Sequence, residues 1–375
     1  MTGKPLDARL LVVVGAGGVG KTTLAAALGV VSAKDGARTL VMTFDPSRRL
    51  KDALGVGGEA TARPVRVPLA GAHLDASLLD ARLTFDALVR RYAPDPAAAK
   101  RILENRFYQH LAGNLAGVLE YMAVERLFEV ANEGDYDRVI LDTPPTRQAL
   151  DFLEAPERIV GFLDSGALRV ALKPWFAPDG ALRRGRVRRR VAGLLDRLVG
   201  LGLLREMAEF FQAFAPLYDG FRHRSREVQA LLRKPDTRFL LVAGPGESRI
   251  PDTLFFARRL KHAGHHLAGI VVNQMHPDGS GSAAAREGGR TSAPAAPAAS
   301  AGVGLLEWLG ERDARGLVAL RQLVTDGTPV ADLALLAEPP TGLAALEALG
   351  RLARERFGGR SRPARRRPWR RRASA

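Results

Sequence analysis

The stretch GAGGVGKTT, Gly15 to Thr23, follows directly on the apolar run Leu10-Leu11-Val12-Val13-Val14. Gly15-x4-Gly20-Lys21-Thr22 fits the pattern GxxxxGK[ST] in the context that pattern needs, a short apolar strand before it and a helix after it. Gly15, Gly17, Gly18 and Gly20 let successive backbone N–H groups turn inward toward phosphate oxygens. The helix that follows adds the positive end of its dipole. Lys21 would reach the β- and γ-phosphates, and the Thr22 hydroxyl suits Mg²⁺. With Val19 and Thr23, these residues form the expected nucleotide-binding loop. The competing reading is a chance match in a glycine-rich turn; the flanking strand and helix, and a carboxylate downstream, weigh against it.

Working outward, residues 9–14 read as a buried parallel strand, 20–33 as a helix and 38–43 (RTLVMT) as a second strand. Residues 101–132 carry helical spacing. Residues 138–142 (RVILD), 238–243 (RFLLVA) and 268–273 (AGIVVN) read as three further strands. Strands alternating with helices predict an α/β fold, a doubly wound, mostly parallel sheet with helices on both faces. Ligands on such sheets bind beyond the carboxyl ends of the strands. Residues 1–156 and 236–357 are read as the two parts of one nucleotide-binding core. Between them, 157–235 reads as a helical insertion. Residues 278–304, rich in Gly, Ser, Ala and Pro, read as a disordered loop, and 358–375 as a disordered arginine-rich tail.

Composition narrows the classes further. The 375 residues carry a net charge of +16. Of the 56 basic residues, six lie in RRGRVRRR (183–190) and eight in RSRPARRRPWRRR (360–372), which leaves 42 against 40 acidic ones. The globular part is therefore near neutral, and the charge sits in two runs. These read either as solvated segments or as contacts for nucleic acid or anionic membrane. No stretch is long and apolar enough to span a bilayer, and the N-terminal apolar run is too short for a signal peptide. A cytoplasmic protein is expected. With no cysteine, disulfides, thiol nucleophiles and cysteine metal sites are excluded.

Two carboxylates complete the candidate site. Asp142 ends the apolar strand 138–141, where it can hold a metal through water; a strand-terminating turn at Asp-Thr-Pro-Pro is the alternative. Asp45 ends the second strand, in TFDPSRRLKDALG. It is placed to accept a proton from an attacking water or to cap the next segment.

Together these pieces resemble the anion-transporting ATPase family, which includes the arsenite-pump ATPase and the ATPase that targets tail-anchored membrane proteins. The phosphate loop resembles the family's GKGGVGKT. Thr43-Phe44-Asp45-Pro46-Ser47, with Leu50, Asp52 and Ala53, resembles the first switch, typically TDPAHxLSDA. Asp142-Thr143-Pro144-Pro145-Thr146 resembles the second switch, typically DTAPTGH. Val271-Val272-Asn273-Gln274 resembles the strand end whose asparagine reads the adenine edge, and Thr328-Pro329-Val330 the last strand and adenine-side loop. The resemblance implies ATP and Mg²⁺ as ligands. It makes Lys21 and Asp45 catalytic, with Asp45 positioning water, and gives Thr22, Asp45 and Asp142 to the metal. Asn273 and Pro329 go to the base. Asn273 as a plain turn residue stays open.

Three departures accompany the resemblance. Ala16 stands where the family has a lysine that reaches a dimer partner's phosphates, so either Arg48, Arg49 or Arg147 substitutes, or hydrolysis is slow, or the dimer differs. Arg147 and Gln148 replace the glycine and histidine after the second switch. Without cysteines, the family's zinc and arsenite thiol sites cannot form. The resemblance places a client surface in the helical insertion, where Phe162, Leu195, Leu198, Leu203, Leu204, Met207, Phe210, Phe211 and Phe214 would either line a groove for an apolar helix or pack as core. The reading is thus an Mg²⁺-dependent ATPase acting on a protein client, with a homodimer open. The alternatives are an ATP-binding switch with little turnover and a partition-type ATPase holding DNA or membrane through its arginine runs.

Overall fold

The computed structural model describes residues 5–44, 49–61, 63–106, 108–109, 118–144, 161, 206, 209–210, 220, 223–277 and 297–358. The chain forms two compact units, one of residues 1–79, 130–149 and 232–375, the other of 80–129 and 150–231.

The first unit holds an eight-stranded sheet. Its strands are β1 (Leu10–Gly15), β2 (Thr39–Thr43), β3 (Val65–Arg66), β4 (Leu74–Leu78), β5 (Arg138–Asp142), β6 (Thr237–Ala243), β7 (Leu267–Met275) and β8 (Val330–Ala334). They lie in the order β3-β4-β2-β5-β1-β6-β7-β8. Every pairing is parallel except β3 with β4. All residues of β1 and β2 are buried. A strand hidden on both sides cannot alternate polar and apolar residues, which explains the continuous apolar runs LLVVV and LVM.

Helix α1 (Lys21–Lys34) is buried on nearly all sides, as its Leu, Ala and Val composition demands. It packs with the C-terminal helix α8 (Gly342–Arg356) over one face of the sheet, joining Leu11, Val13, Val41, Leu346 and Leu349 in one apolar core. At the far end of α1 a buried polar cluster ties these elements together. The Arg354 guanidinium pairs with Asp35 and donates to Ser32 Oγ at 2.8 Å, and Arg138 pairs with Asp7 at 3.0 Å. Burial lowers the Arg354 pKa, and the carboxylates Asp7 and Asp35 oppose that shift.

Among the described residues, further helices include α2 (Arg49–Leu54), α3 (Ala81–Tyr92), α4 (Pro96–Glu104), α5 (Val118–Glu133), α6 (Ile250–His262) and α7 (Pro297–Leu323), and residues 223–232 are helical as well. In the second unit, α3 and α4 each start on an aspartate cap: Asp80 accepts from Leu83 N–H, and Asp95 from Ala98 N–H. There Tyr108 donates to Asp86 at 2.6 Å and stacks on Phe210, which is buried as core. The other apolar residues read into the insertion, and both arginine runs, lie outside the described residues.

Helix α7 overturns part of one expectation. Residues 297–304 belong to its first turns rather than to a disordered loop. Alanine favours helix, and Pro297 at the first helical position loses no intrahelical bond; residues 278–296 lie outside the described ones. Strands β3 and β4 were not anticipated, being short and, in β4, polar at alternate positions. Among the described residues no helix is long and apolar enough to cross a membrane.

Candidate functional site

The phosphate loop joins β1 to α1 at the carboxyl edge of the sheet. Gly15 closes β1, in register with Val242 of β6. Gly17 and Gly18 are exposed at the crest of the loop, while Val19 and Lys21 are buried. Gly20 precedes α1 with φ +87°, the left-handed region that only glycine enters freely. No side chain caps the helix, and its first turn carries no acid. With no side-chain cap and no acid there, the dipole end is anion-seeking. Lys21 curls back so that Nζ donates to the Ala16 carbonyl oxygen at 2.9 Å. The ammonium is held over the loop. The Ala16 methyl packs against the apolar core and brings no cation to the crest.

Asp142, the last residue of β5, is fully buried. β5 lies between β1 and β2, so Asp142 sits in register with Val13 on one side and Thr43 on the other. Two hydroxyls donate to its Oδ2: Thr22 Oγ1 at 2.7 Å and Thr43 Oγ1 at 2.9 Å. A buried carboxylate needs such donors to remain charged. Because Thr22 gives its proton to Asp142, the lone pairs of its oxygen are left for a cation. A hydroxyl backed by a carboxylate is a hard oxygen set that fits Mg²⁺ sharing its remaining positions with water and phosphate. Among the described residues no group of three or more His, Asp or Glu is arranged to hold a metal by itself.

Asn273 reaches the same loop from β7. Its Nδ2 donates to the Val19 carbonyl oxygen at 2.9 Å, and a Cβ added to Gly20 would fall 2.4 Å from that nitrogen. β7 loses register with β8 between Val272 and Met275, and Gln274 has φ +63°. A left-handed non-glycine residue costs about 1–2 kcal/mol, a strain held next to the loop. Just beyond, His276 donates its backbone N–H to Asp313 Oδ2 of α7 and meets the same oxygen through Nδ1 at 2.7 Å. Arg312 adds a bond to Oδ1 at 2.9 Å. These partners lower the Asp313 pKa although burial, the largest single influence, pushes it up.

The structure thus brings Lys21 and Thr22, Asp142, and Asn273 together from three separate stretches. Pro329 does not join them. It precedes β8, and its carbonyl accepts from Ile270 N–H at 2.8 Å. Val272 pairs with Asp332, which leaves Pro329 three residues back, about 10 Å toward the amino edge at the usual rise per residue. What reaches the carboxyl edge of the sheet is the segment after β8, where Leu335 N–H donates to the Met275 carbonyl at 2.7 Å. Its signal in the sequence was Leu335-Leu336 followed by Pro339-Pro340 and a new helix. Thr43, the second donor to Asp142, reads in the sequence as the end of the second strand and the start of the first-switch resemblance, but not as a site residue. Asp45, Arg48, Arg147 and Gln148 lie outside the described residues.

Comparison with known proteins points the same way. The sequence matches the family model described as Anion-transporting ATPase over residues 8–288. The protein Rv2184c of Mycobacterium tuberculosis is 33% identical over 166 residues, covering 41% of this chain and 39% of that protein. A protein of Aquifex aeolicus, named as a candidate arsenical pump-driving ATPase, is 24% identical over 279 residues, 72% of this chain and 64% of its own length. An uncharacterised protein of Streptomyces coelicolor is 28% identical over 334 residues, 88% of this chain and 76% of its own. The chain spans less than two thirds of the first two.

Proposed function

The chain belongs to the anion-transporting ATPase family, and on that premise we propose that it binds Mg·ATP at Gly15–Thr23 and hydrolyses it to ADP and phosphate. The observation that carries the reading is the pairing of an uncapped α1 N-terminus with a buried hydroxyl–carboxylate pair, Thr22 and Asp142, 2.7 Å apart beside it. The loop amides and Lys21 bind the phosphate oxygens and neutralise the charge that builds on them. Thr22 would hold Mg²⁺, with Asp142 supporting it through Thr22 and water, and the cation would supply positive charge to the phosphate oxygens. Asp45 orients a water whose oxygen attacks the γ-phosphorus while the bond to the bridging oxygen breaks and ADP leaves. Asn273 is the base-side residue, its Oδ1 accepting from the adenine amino group.

Downstream of chemistry, the segments after β2 and β5 respond to nucleotide state and act on a protein client through the insertion at residues 157–235. One observation favours a second reading, an ATP-bound switch with slow turnover. Ala16 offers the crest of the loop only a methyl group turned to the core and a carbonyl already engaged by Lys21.

ATP turnover per molecule across a range of protein concentrations, with Lys21→Ala as background, tests both. Turnover above background supports the ATPase, and a rise with concentration means subunits complete each other's sites. Turnover equal to background with ATP still bound supports the switch. Binding of neither ATP nor ADP refutes the proposal.

A further inference from the structure

We infer that Asn273 is a positioning residue for the phosphates: its carboxamide holds the Val19–Gly20 peptide in the orientation that aims the Gly20 N–H into the phosphate cradle. The inference rests on the phosphate-loop reading above and adds a role distinct from contact with the base.

The peptide plane is held by two independent anchors. The Val19 side chain is buried in the core, with Cγ2 lying 3.4 Å from a Cβ built on Gly15 and Cγ1 lying 3.6 Å from one built on Gly244. The Val19 carbonyl oxygen accepts from Asn273 Nδ2 at 2.9 Å. In a trans peptide the C=O and the following N–H point in opposite directions, and the described residues contain no cis bond. Pulling the Val19 oxygen toward β7 therefore turns the Gly20 N–H away from β7, to the side where a phosphate sits. The same pull removes a carbonyl oxygen from the anion's surroundings, where it would repel.

Gly20 is shaped to this contact. It sits against the amide nitrogen so closely that a methyl group would collide with it at 2.4 Å. The strand end is shaped to it as well. Between Val272 and Met275 the register with β8 shifts, and Gln274 takes φ +63°, a conformation that a strand continuing regularly would not adopt. Register resumes at Met275 with Ala334. The excursion is confined to the two residues that carry the amide to the loop. With Nδ2 engaged by the loop, the side chain has only Oδ1 to offer a base.

The two roles predict different ligand dependence, because a base-free triphosphate tests the cradle alone. The experiment is calorimetric titration of the full chain with Mg·ATP and with Mg·tripolyphosphate, comparing wild type, Asn273→Ala and Asn273→Leu. The leucine variant keeps the side-chain volume without the donor. Loss of one positioning hydrogen bond predicts tripolyphosphate affinity reduced about five- to tenfold, and ATP affinity reduced by at least that factor, because ATP also loses the contact of its base with Oδ1. Hydrogen exchange over residues 15–24 of the ligand-free variants reports on the loop without any ligand and is expected to quicken. Weakened ATP binding with tripolyphosphate binding intact would overturn the inference and leave a base reader only. Unchanged binding of both ligands, or unchanged exchange, would overturn it too. Failure of the wild-type chain to bind either ligand would instead remove the phosphate-loop reading on which it stands.

Discussion

Gly20→Ala gives a direct physical test of the loop geometry. Two costs add. At φ +87° an alanine meets the left-handed penalty of about 1–2 kcal/mol. Its methyl group would also stand 2.4 Å from Asn273 Nδ2, so the amide must swing away and give up its bond to the Val19 carbonyl, worth about 0.5–1.5 kcal/mol. The expected loss is about 2–3 kcal/mol in the ligand-free chain, measured as a shift in urea midpoint at constant slope. The two costs separate in a double-mutant cycle. In an Asn273→Ala background no amide stands in the way and no bond remains to lose, so Gly20→Ala retains only the backbone penalty. The coupling between the two sites is then about 1 kcal/mol, in the sense that the double variant is less destabilised than the sum. Additive effects would refute the contact. A Gly20→Ala variant as stable as wild type would refute the left-handed cap itself.

Three further outcomes follow from the fold around the site. Gly350→Ala places a methyl 2.4 Å from the Ala27 carbonyl oxygen where α1 and α8 touch; overpacking of about 1–3 kcal/mol exceeds the helix-propensity gain of about 1 kcal/mol, so thermal unfolding shows no stabilisation and a net loss of up to about 2 kcal/mol. Arg354→Met removes the buried guanidinium from Asp7, which keeps Arg138, and from Asp35, which keeps the more distant Arg351, and is expected to cost about 1.5–3 kcal/mol, read from the urea midpoint. His265 is buried against Phe239, and that burial lowers its pKa. As pH falls through the ordinary histidine value of about 6.5, the unfolded chain takes up the proton first. The contribution of His265 is therefore complete above about pH 7 and lost below the ordinary value, and His265→Gln is expected to flatten that part of the stability-versus-pH curve.

The local pattern of the chain determined a good deal. A five-residue apolar run ahead of GAGGVGKTT is enough to specify a buried strand, a glycine-rich turn and a helix start, because each depends on neighbours a few residues apart. The buried runs at 39–43, 138–142 and 237–243 are legible for the same reason, since a strand covered on both faces must be apolar throughout. Strands β3 and β4 escape that logic: Val65–Arg66 is two residues long, and LDASL carries Asp75 and Ser77 inside. Residues 297–304 escape it too, because alanine-rich sequence reads equally as low complexity and as helix.

The tertiary structure alone decided which ends meet. Thr22 and Asp142 are 120 residues apart, and Val19 and Asn273 are 254 apart. They meet because β1 lies between β5 and β6, with β7 one strand further on, and no short-range pattern encodes that order. Pro329 shows the same limit from the other side. A motif places a residue along the chain, but only the parallel register of β7 with β8 decides that Pro329 falls at the amino edge and Leu335 at the carboxyl edge, where the phosphate loop lies. Residue type pointed to a phosphate site; the crossing of distant strands brought Asn273 to the loop's backbone and set Pro329 at the amino edge.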